Sequence, residues 1–579
     1  MDRKEMARKF KKSAGDLLNA EIGTIRKRGA AIRVALVYPN QYAPAMSNLG
    51  YQTVYRLLNR IEDVSCERVF LPEHSGQKPQ SIESAAPLRS FDVVAFSISF
   101  ENDYPNVLTL LQQAGIPLQA VARKAEHPLV IAGGVACMLN PEPLAPFFDA
   151  FLLGEAEAML SVFFATVAEF GPRAGTERKE LLRNCARRVP GTYVPIFYRA
   201  EYCTDGTLRD FQPTEDVPAT VKRTYLENLE EVSTCSAVVT PHTTFDRTFL
   251  IEVGRGCPHG CRFCSAGFIY RPPRFRPLSL LQACMLQGLE TTERIGLVGA
   301  AVSDLPAIGE LCRQALERQA RLSFSSLRAD ALDPPLLEVL RRSRVKTATI
   351  APDAGSERLR RVINKGIDEE TILRAVEILV AEGIPNLKLY CMVGLPTETE
   401  ADVQAIVELC KRIKHTFLRV SRSRRSIGEI TLSLNCFVPK PVTPFQWVAM
   451  DDGAQLKQKL RLVREGLKKT ANVRVHADVP RWAYLQALLS RGDRRVSEIL
   501  QLAQSNDWNW PKTFKETHFN PDFYVLRARA AEERLPWDFI DHGVAKSFLQ
   551  KEYRKALAGR TTPPCPMDRN CRACGVCNT

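Results

Sequence analysis

Seventeen cysteines stand in the 579-residue chain, and seven of them fall into two tight groups whose spacing suits metal chemistry. The first group reads Cys257-Pro258-His259-Gly260-Cys261-Arg262-Phe263-Cys264. Its Cys-x3-Cys-x2-Cys spacing supplies three thiolates, whereas a structural zinc site wants four closed ligands. A cubane cluster has four irons, so three thiolates leave one iron open to a substrate or cofactor. His259 lies too close to its neighbours in the chain to turn back onto the same metal. The second group, Cys565, Cys571, Cys574 and Cys577, has four thiols in the last fifteen residues. Four thiols suit a complete site, either an iron–sulfur cluster or a zinc knuckle. The other ten cysteines are scattered singly and read as small buried hydrophobes.

The elements around these groups follow an α/β pattern. The first group comes directly after an apolar run, Thr248 to Val253, which predicts a buried strand. Further candidate strands at 295–299, 322–325, 347–350, 387–393 and 430–436 alternate with helical periodicity. Six such βα units over 246–450 predict a partial barrel of the (β/α)6 type, with chemistry at the carboxyl ends of its strands. Upstream, apolar runs at 32–39, 92–98 and 128–132, and Ala150 to Glu155, predict a doubly wound α/β domain over 31–170. A ligand of that domain belongs at the carboxyl ends of the strands, where Ser97, Ser99, Gly133 and Gly134 fall. Residues 1–30 read as a basic helical segment and 171–245 as a polar connecting region. The pattern from 451 to 579 is mostly helical and ends in the four-cysteine group.

Composition narrows the class. Hydrophobic residues at 45% and charged residues at 25% are globular values. The charged N-terminus, Met1-Asp2-Arg3-Lys4-Glu5, is no secretory signal, and no uncharged apolar run is long enough for a bilayer. A cytoplasmic protein without a membrane partner is expected, and in a reducing compartment clustered cysteines point to metal or redox chemistry. The net charge of +14 includes runs at Arg8-Lys9-Phe10-Lys11-Lys12, Arg26-Lys27-Arg28 and Arg422-Ser423-Arg424-Arg425. These suit an anionic partner such as RNA or, equally, a solvated basic surface; no aromatic-rich RNA-binding signature accompanies them.

The first cysteine group, with Phe263 before its last cysteine, resembles the motif of the radical S-adenosylmethionine (SAM) superfamily. Later segments fit that family in order: Gly296-Leu297-Val298-Gly299, Ser325-Ser326-Leu327-Arg328, Pro352-Asp353-Ala354-Gly355-Ser356 and Met392-Val393-Gly394-Leu395-Pro396-Thr397-Glu398. The resemblance implies a 4Fe-4S cluster on Cys257, Cys261 and Cys264 whose open iron is chelated by SAM. One electron from a flavodoxin- or ferredoxin-type donor then releases a 5′-deoxyadenosyl radical. It also implies that Phe263, Gly299, Ser325, Arg328, Ser356, Gly394 and Pro396 line the cofactor site. In this context the Cys-x2-Cys-Gly-x-Cys ending favours a second 4Fe-4S cluster over zinc.

The whole chain resembles a bacterial subgroup of that superfamily with an N-terminal cobalamin-binding-like domain and no assigned substrate. There Ser97, Ser99, Gly133 and Gly134 are the positions expected to line the tail of a cobalamin. The Asp-x-His-x-x-Gly loop that ligates cobalt from below is missing, since residues 39–50 hold no histidine. Either cobalt has no protein ligand there, or the domain serves packing and docking alone. The function expected is methylation or a related radical modification of an unknown substrate, RNA or protein among them. The alternatives are methylthiolation with an auxiliary cluster, and a non-catalytic iron–sulfur, RNA-associated accessory protein.

Overall fold

The structure, a computed structural model, describes residues 13–74, 76–171, 175–325, 327–422, 428–568 and 570–578. The basic run at residues 8–12 lies outside the described residues, as do Ser326 and positions 423–425 of the later run. Of the expected N-terminal helical segment, Ala14–Asn19 is described as helix, with Ser13 and Asp16 closing a capping box.

In the first α/β unit, five parallel strands run in the order β2-β1-β3-β4-β5. They are β1 (Ile32–Tyr38), β2 (Val64–Phe70), β3 (Val93–Ser97), β4 (Leu129–Gly133) and β5 (Ala150–Leu152). The apolar run of β1 takes the interior of the sheet because all its side chains except Arg33 are buried. Chain direction across the sheet reverses between β1 and β3, which opens a crevice at their carboxyl ends. The helix Leu49–Arg60 covers one face and is capped by Asn48, which accepts from Tyr51 N. Buried Arg68 on β2 is matched by Glu21 and Glu83, each at 2.6 Å.

A sixth strand, β6 (Thr192–Tyr193), joins β5 in antiparallel fashion. The stretch 171–245 is thus more ordered than its polar sequence indicates, with the helix Arg178–Arg188 and a hairpin of Tyr198–Tyr202 with Leu208–Pro213. Its organiser is remote: Phe539 packs 4.6 Å from both Tyr193 and Phe211, ring centre to ring centre. No local periodicity signals such a contact.

The second unit holds seven parallel strands in two curved sheets. The first contains β7 (Phe249–Glu252), β8 (Arg294–Val298) and β9 (Arg321–Phe324). The second contains β10 (Thr347–Asp353), β11 (Asn386–Val393), β12 (Ile430–Cys436) and β13 (Val473–Ala477). Six of these lie where apolar runs predict them. The seventh, β13, comes from the stretch read as helical. It is an edge strand whose side chains alternate half-buried and exposed, with Arg474 and His476 on the wet face. Five residues of that pattern between two long helices carry little strand signal. The two units are tied near their strand ends, where Lys440 beyond β12 pairs with buried Glu101 beyond β3 at 2.6 Å. Among the described residues no helix is long and apolar enough to cross a membrane.

Candidate functional site

The first cysteine group occupies a loop closed at its base. Directly after β7, Gly254–Arg255 pairs with Arg274–Phe275 as a short antiparallel ribbon. Gly256 then takes a positive φ of 81°, and a Cβ there would stand 2.6 Å from the Tyr270 carbonyl oxygen, so only glycine fits. Within the loop, Cys264 N donates to Cys261 O at 3.1 Å, which makes a tight turn between the last two cysteines. Fully buried Arg262 fastens the loop from inside. Its backbone N–H donates to Ile363 O at 2.9 Å, and its guanidinium reaches Val362 O, Arg560 O and the Glu552 carboxylate.

Burial pushes the Cys257 thiol up to about 11 and the Cys261 thiol up to about 12, and raises Cys264 as well. The thiols also sense one another: Cys264 raises Cys257, and both Cys264 and Cys257 raise Cys261. Burial and mutual repulsion thus keep the three thiols protonated without metal, and a bound metal cation would offset both costs for the thiolates. Among the described residues no three His, Cys, Asp or Glu side chains already close on a single metal ion.

Charged pairs surround the loop, and sequence reasoning named Arg328 among them but missed the partners Asp304, Asp330 and Lys365. His259 Nε2 lies 2.6 Å from Asp304 Oδ1, so its ring is engaged away from the thiols. Arg328 makes a two-pronged bond to Asp330 at 2.9 and 2.8 Å, and its charge lowers Cys257. Lys365 pairs with Asp353 at 2.6 Å and is the strongest stabilising charge on the Cys261 thiolate. Asp353 ends β10 at a positive φ of 62°. The signal for Asp304, Asp330 and Lys365 is only their place in the segments beyond strand ends, and that is visible once the strands are known.

Beside the loop is a cavity of about 560 Å³ that both units build. From the first unit come Ser97, Ser99, Gly133 and Gly134, and from the second Gly299 and Tyr270. Gly134 has a positive φ of 109°, and a Cβ there would stand 2.4 Å from Ile98 O. Its wall is held by Arg255, which bonds Glu155 at 2.8 Å, Glu157 at 2.5 Å and Glu252 at 3.0 Å. Burial alone would raise Glu155, but Arg255 and Arg274 hold it below the usual carboxylate range. The three carboxylates and Arg255 all face the cavity.

At the rim of the same sheet, Asn48 Nδ2 donates to Ser99 Oγ at 3.1 Å and Asn40 Nδ2 to Asp103 Oδ1 at 2.8 Å. Burial raises the Asp103 carboxyl from 3.8 to about 6. A carboxyl raised on folding contributes its stability below its unfolded value and loses it as pH rises through the folded value. Asp103→Asn keeps the acceptor for Asn40 and removes the ionisation. Its stability relative to the parent is therefore expected to improve between pH 4 and 7 by up to about 3 kcal/mol and to level off above. Urea unfolding at pH 4.5, 6 and 8 checks this; a pH-independent difference counts against it.

The second cysteine group lies against the first. Cys565 N donates to Pro258 O at 2.7 Å, next to Cys257. Asn364 bridges the same region, donating to Gly260 O and Thr562 O at 3.1 Å and accepting from Thr562 N at 2.8 Å. Ala545 N donates to Cys574 O at 2.9 Å, which seats the far end of the tail. Cys574, Cys565 and Cys571 all raise the Cys577 thiol, so the four tail thiols form one group.

The expected site residues thus separate into sets. Ser97, Ser99, Gly133, Gly134 and Gly299 share the cavity. Ser325 Oγ donates to Gly299 O at 3.0 Å and stands one step behind it. Phe263 packs in an apolar cluster with Phe437 and Phe445. Ser356 is occupied locally, capping the helix Glu357–Val362 and donating to Asp402. Gly394, at a positive φ of 84°, donates to Glu398 at 2.8 Å, and Pro396 is buried beside it.

Sequence comparison matches residues 251–410 to the family described as the radical SAM superfamily and residues 50–195 to radical SAM proteins, N-terminal. An uncharacterized protein of Methanocaldococcus jannaschii is 30% identical over 477 residues, covering 82% of this chain and 91% of the relative. A threonylcarbamoyladenosine tRNA methylthiotransferase of Treponema pallidum is 24% identical over 233 residues, 38% of this chain and 47% of the relative. Among solved structures, the radical S-adenosylmethionine methyltransferase TsrM of Kitasatospora setae, with cobalamin and a [4Fe-4S] cluster bound, is 14% identical. It covers 82% of this chain and 100% of its own, with a TM-score of 0.49.

Proposed function

This chain belongs to the radical SAM superfamily, and from that premise we propose that it uses S-adenosylmethionine to methylate, or otherwise modify by radical chemistry, a substrate held in the cavity between its two α/β units. The observation that carries the proposal is the juxtaposition of the three-thiol loop at the end of β7 with a cavity completed by the carboxyl edge of the N-terminal sheet. A 4Fe-4S cluster on Cys257, Cys261 and Cys264 would supply the single electron that splits the sulfur–C5′ bond of SAM. The residues of the chain orient and enclose. Arg262 holds the loop in place, and Gly299 with Ser325 offers backbone and hydroxyl groups at the end of β8. Arg328, now on Asp330, presents the planar fork that a carboxylate or ribose accepts. Ser356, Gly394 and Pro396 hold the turns beyond β10 and β11 at the adenine end.

The doubly wound sheet and the small residues on its carboxyl edge fit cobalamin as the methyl carrier, with no protein ligand below the cobalt from residues 39–50. Anaerobically reconstituted protein is expected to retain about one cobalamin per chain after gel filtration. It should also form 5′-deoxyadenosine or S-adenosylhomocysteine with a low-potential reductant. Gly134→Val is expected to lose the cobalamin, because its side chain would drive into the Ile98 carbonyl. Parent protein that releases all cobalamin on filtration removes the carrier from the proposal and leaves SAM chemistry alone.

Methylthiolation is the second reading, favoured by the four tail thiols that abut the loop. Against it, no described residue of the tail lines the cavity, so sulfur held there would have no direct path to the substrate. A basic recess formed by Arg321, Arg341, Arg342 and Arg344 lies at the amino-terminal ends of the barrel strands, away from the cysteine loop. This favours a ligand enclosed in the cavity over one led to the loop along that patch. Electrons come from a flavodoxin- or ferredoxin-type donor.

A further inference from the structure

We propose that the C-terminal four-cysteine group is the port through which electrons reach the loop of Cys257, Cys261 and Cys264, and that an acidic one-electron carrier docks on the basic surface around it. The proposal rests on the radical SAM reading above and assigns the tail a role within it.

Contact comes first. The bond from Cys565 N to Pro258 O at 2.7 Å joins the first tail cysteine to the residue after Cys257. Adding standard backbone bond lengths to that bond puts the Cα atoms of Cys257 and Cys565 no more than about 11 Å apart. Arg262, between Cys261 and Cys264, donates to Arg560 O at 2.8 Å, and Thr562 bonds Asn364, which in turn bonds Gly260 O. Three successive points of the tail are therefore fastened to the loop, with buried, rigid groups between the two sets of sulfur.

Orientation comes second. The cavity is lined near the loop by Gly256, Ala266, Tyr270 and Gly299, and no described residue beyond 300 lines it. The tail instead faces outward: Pro564, Pro566, Met567 and Arg572 are exposed. A centre placed between solvent and the loop, and away from the substrate, is positioned to pass electrons and not to meet the substrate.

Charge comes third. Lys551 and Arg554 on the helix Lys546–Leu557, Arg560 just after it and Arg572 in the tail are exposed, and none makes an ion pair among the described residues, although most of the chain's arginines do. Leu557 at the end of that helix and Met567 in the tail, at 53% and 45% exposure, add exposed apolar surface. Unpaired surface cations together with exposed apolar side chains fit a carrier with an acidic rim and steer its approach. In each transfer the carrier is oxidised by one electron, which passes from the tail group to the loop group. There it is consumed in reducing the sulfonium of SAM to methionine and a 5′-deoxyadenosyl radical, with no proton transferred.

The test follows cluster reduction anaerobically by stopped-flow absorbance, with freeze-quench electron paramagnetic resonance to assign the loop signal. Full-length reconstituted protein is mixed with flavodoxin hydroquinone, or separately with dithionite and methyl viologen. Lys551→Glu combined with Arg554→Glu and Arg560→Glu is expected to slow reduction by flavodoxin at least tenfold. It should flatten the salt dependence and leave reduction by the small reagents unchanged. Cys571→Ala with Cys574→Ala is expected to remove the tail signal and to slow flavodoxin reduction of the loop by a similar factor, while viologen still reduces it. Equal flavodoxin rates in parent and variants overturn the proposal, as does a tail that binds zinc and no iron. Loss of the loop signal in the parent itself would instead sink the radical SAM reading on which the proposal stands.

Discussion

Replacing Cys257, Cys261 and Cys264 together by alanine is expected to abolish reductive cleavage of SAM, with 5′-deoxyadenosine falling to the level of a protein-free control. These three thiols are the only protein ligands the loop offers, because His259 is committed to Asp304 and the tail thiols form their own group. Without them the open iron that would chelate SAM has no support. The fold should survive, since burial of the loop depends on Arg262 and its partners and not on sulfur. Circular dichroism and gel filtration of the triple variant should match those of the metal-free parent. Unchanged 5′-deoxyadenosine in a correctly folded variant means that the loop is not the reacting centre.

Truncation before Cys565 is expected to halve the iron of the reconstituted chain, from about eight atoms to about four. The cut spares the carbonyl of Arg560 and both backbone groups of Thr562, so the bonds to Arg262 and Asn364 persist. The bond from Cys565 to Pro258 is lost. SAM cleavage with dithionite should therefore remain, while turnover on the true substrate falls. Zinc at the tail predicts a different result: iron unchanged on truncation, with about one zinc per chain lost. That result also removes methylthiolation, because zinc neither donates sulfur nor passes electrons. Intact tail thiols with neither metal would leave the tail as a purely structural strap.

Much of this architecture was legible before any coordinates. A buried parallel strand is an unbroken apolar run, which is why β1, β3 and β4 and six of the seven barrel strands stand out in the chain. Metal chemistry was legible for a similar reason, since ligands to one centre must come from a short loop and their spacing survives in the sequence. Edge strand β13 and the aromatic packing of Tyr193 and Phe211 on Phe539 were not legible. The first alternates too briefly, and the second joins residues more than three hundred positions apart.

What the sequence determined by itself was the kind of chemistry: three thiols on a loop beyond a strand, four more in the last stretch of the chain, and small residues where two sheets present their carboxyl edges. Tertiary structure alone decided how these parts face one another. It set Gly134 and Gly299 around one cavity, matched Arg255 to carboxylates from both units, and laid Cys565 on Pro258. The physical reason is that strand and loop formation are governed by neighbours in the chain, whose pattern is written locally. The relation between loops is governed by burial and hydrogen bonding of groups far apart in sequence, and these leave no periodic trace.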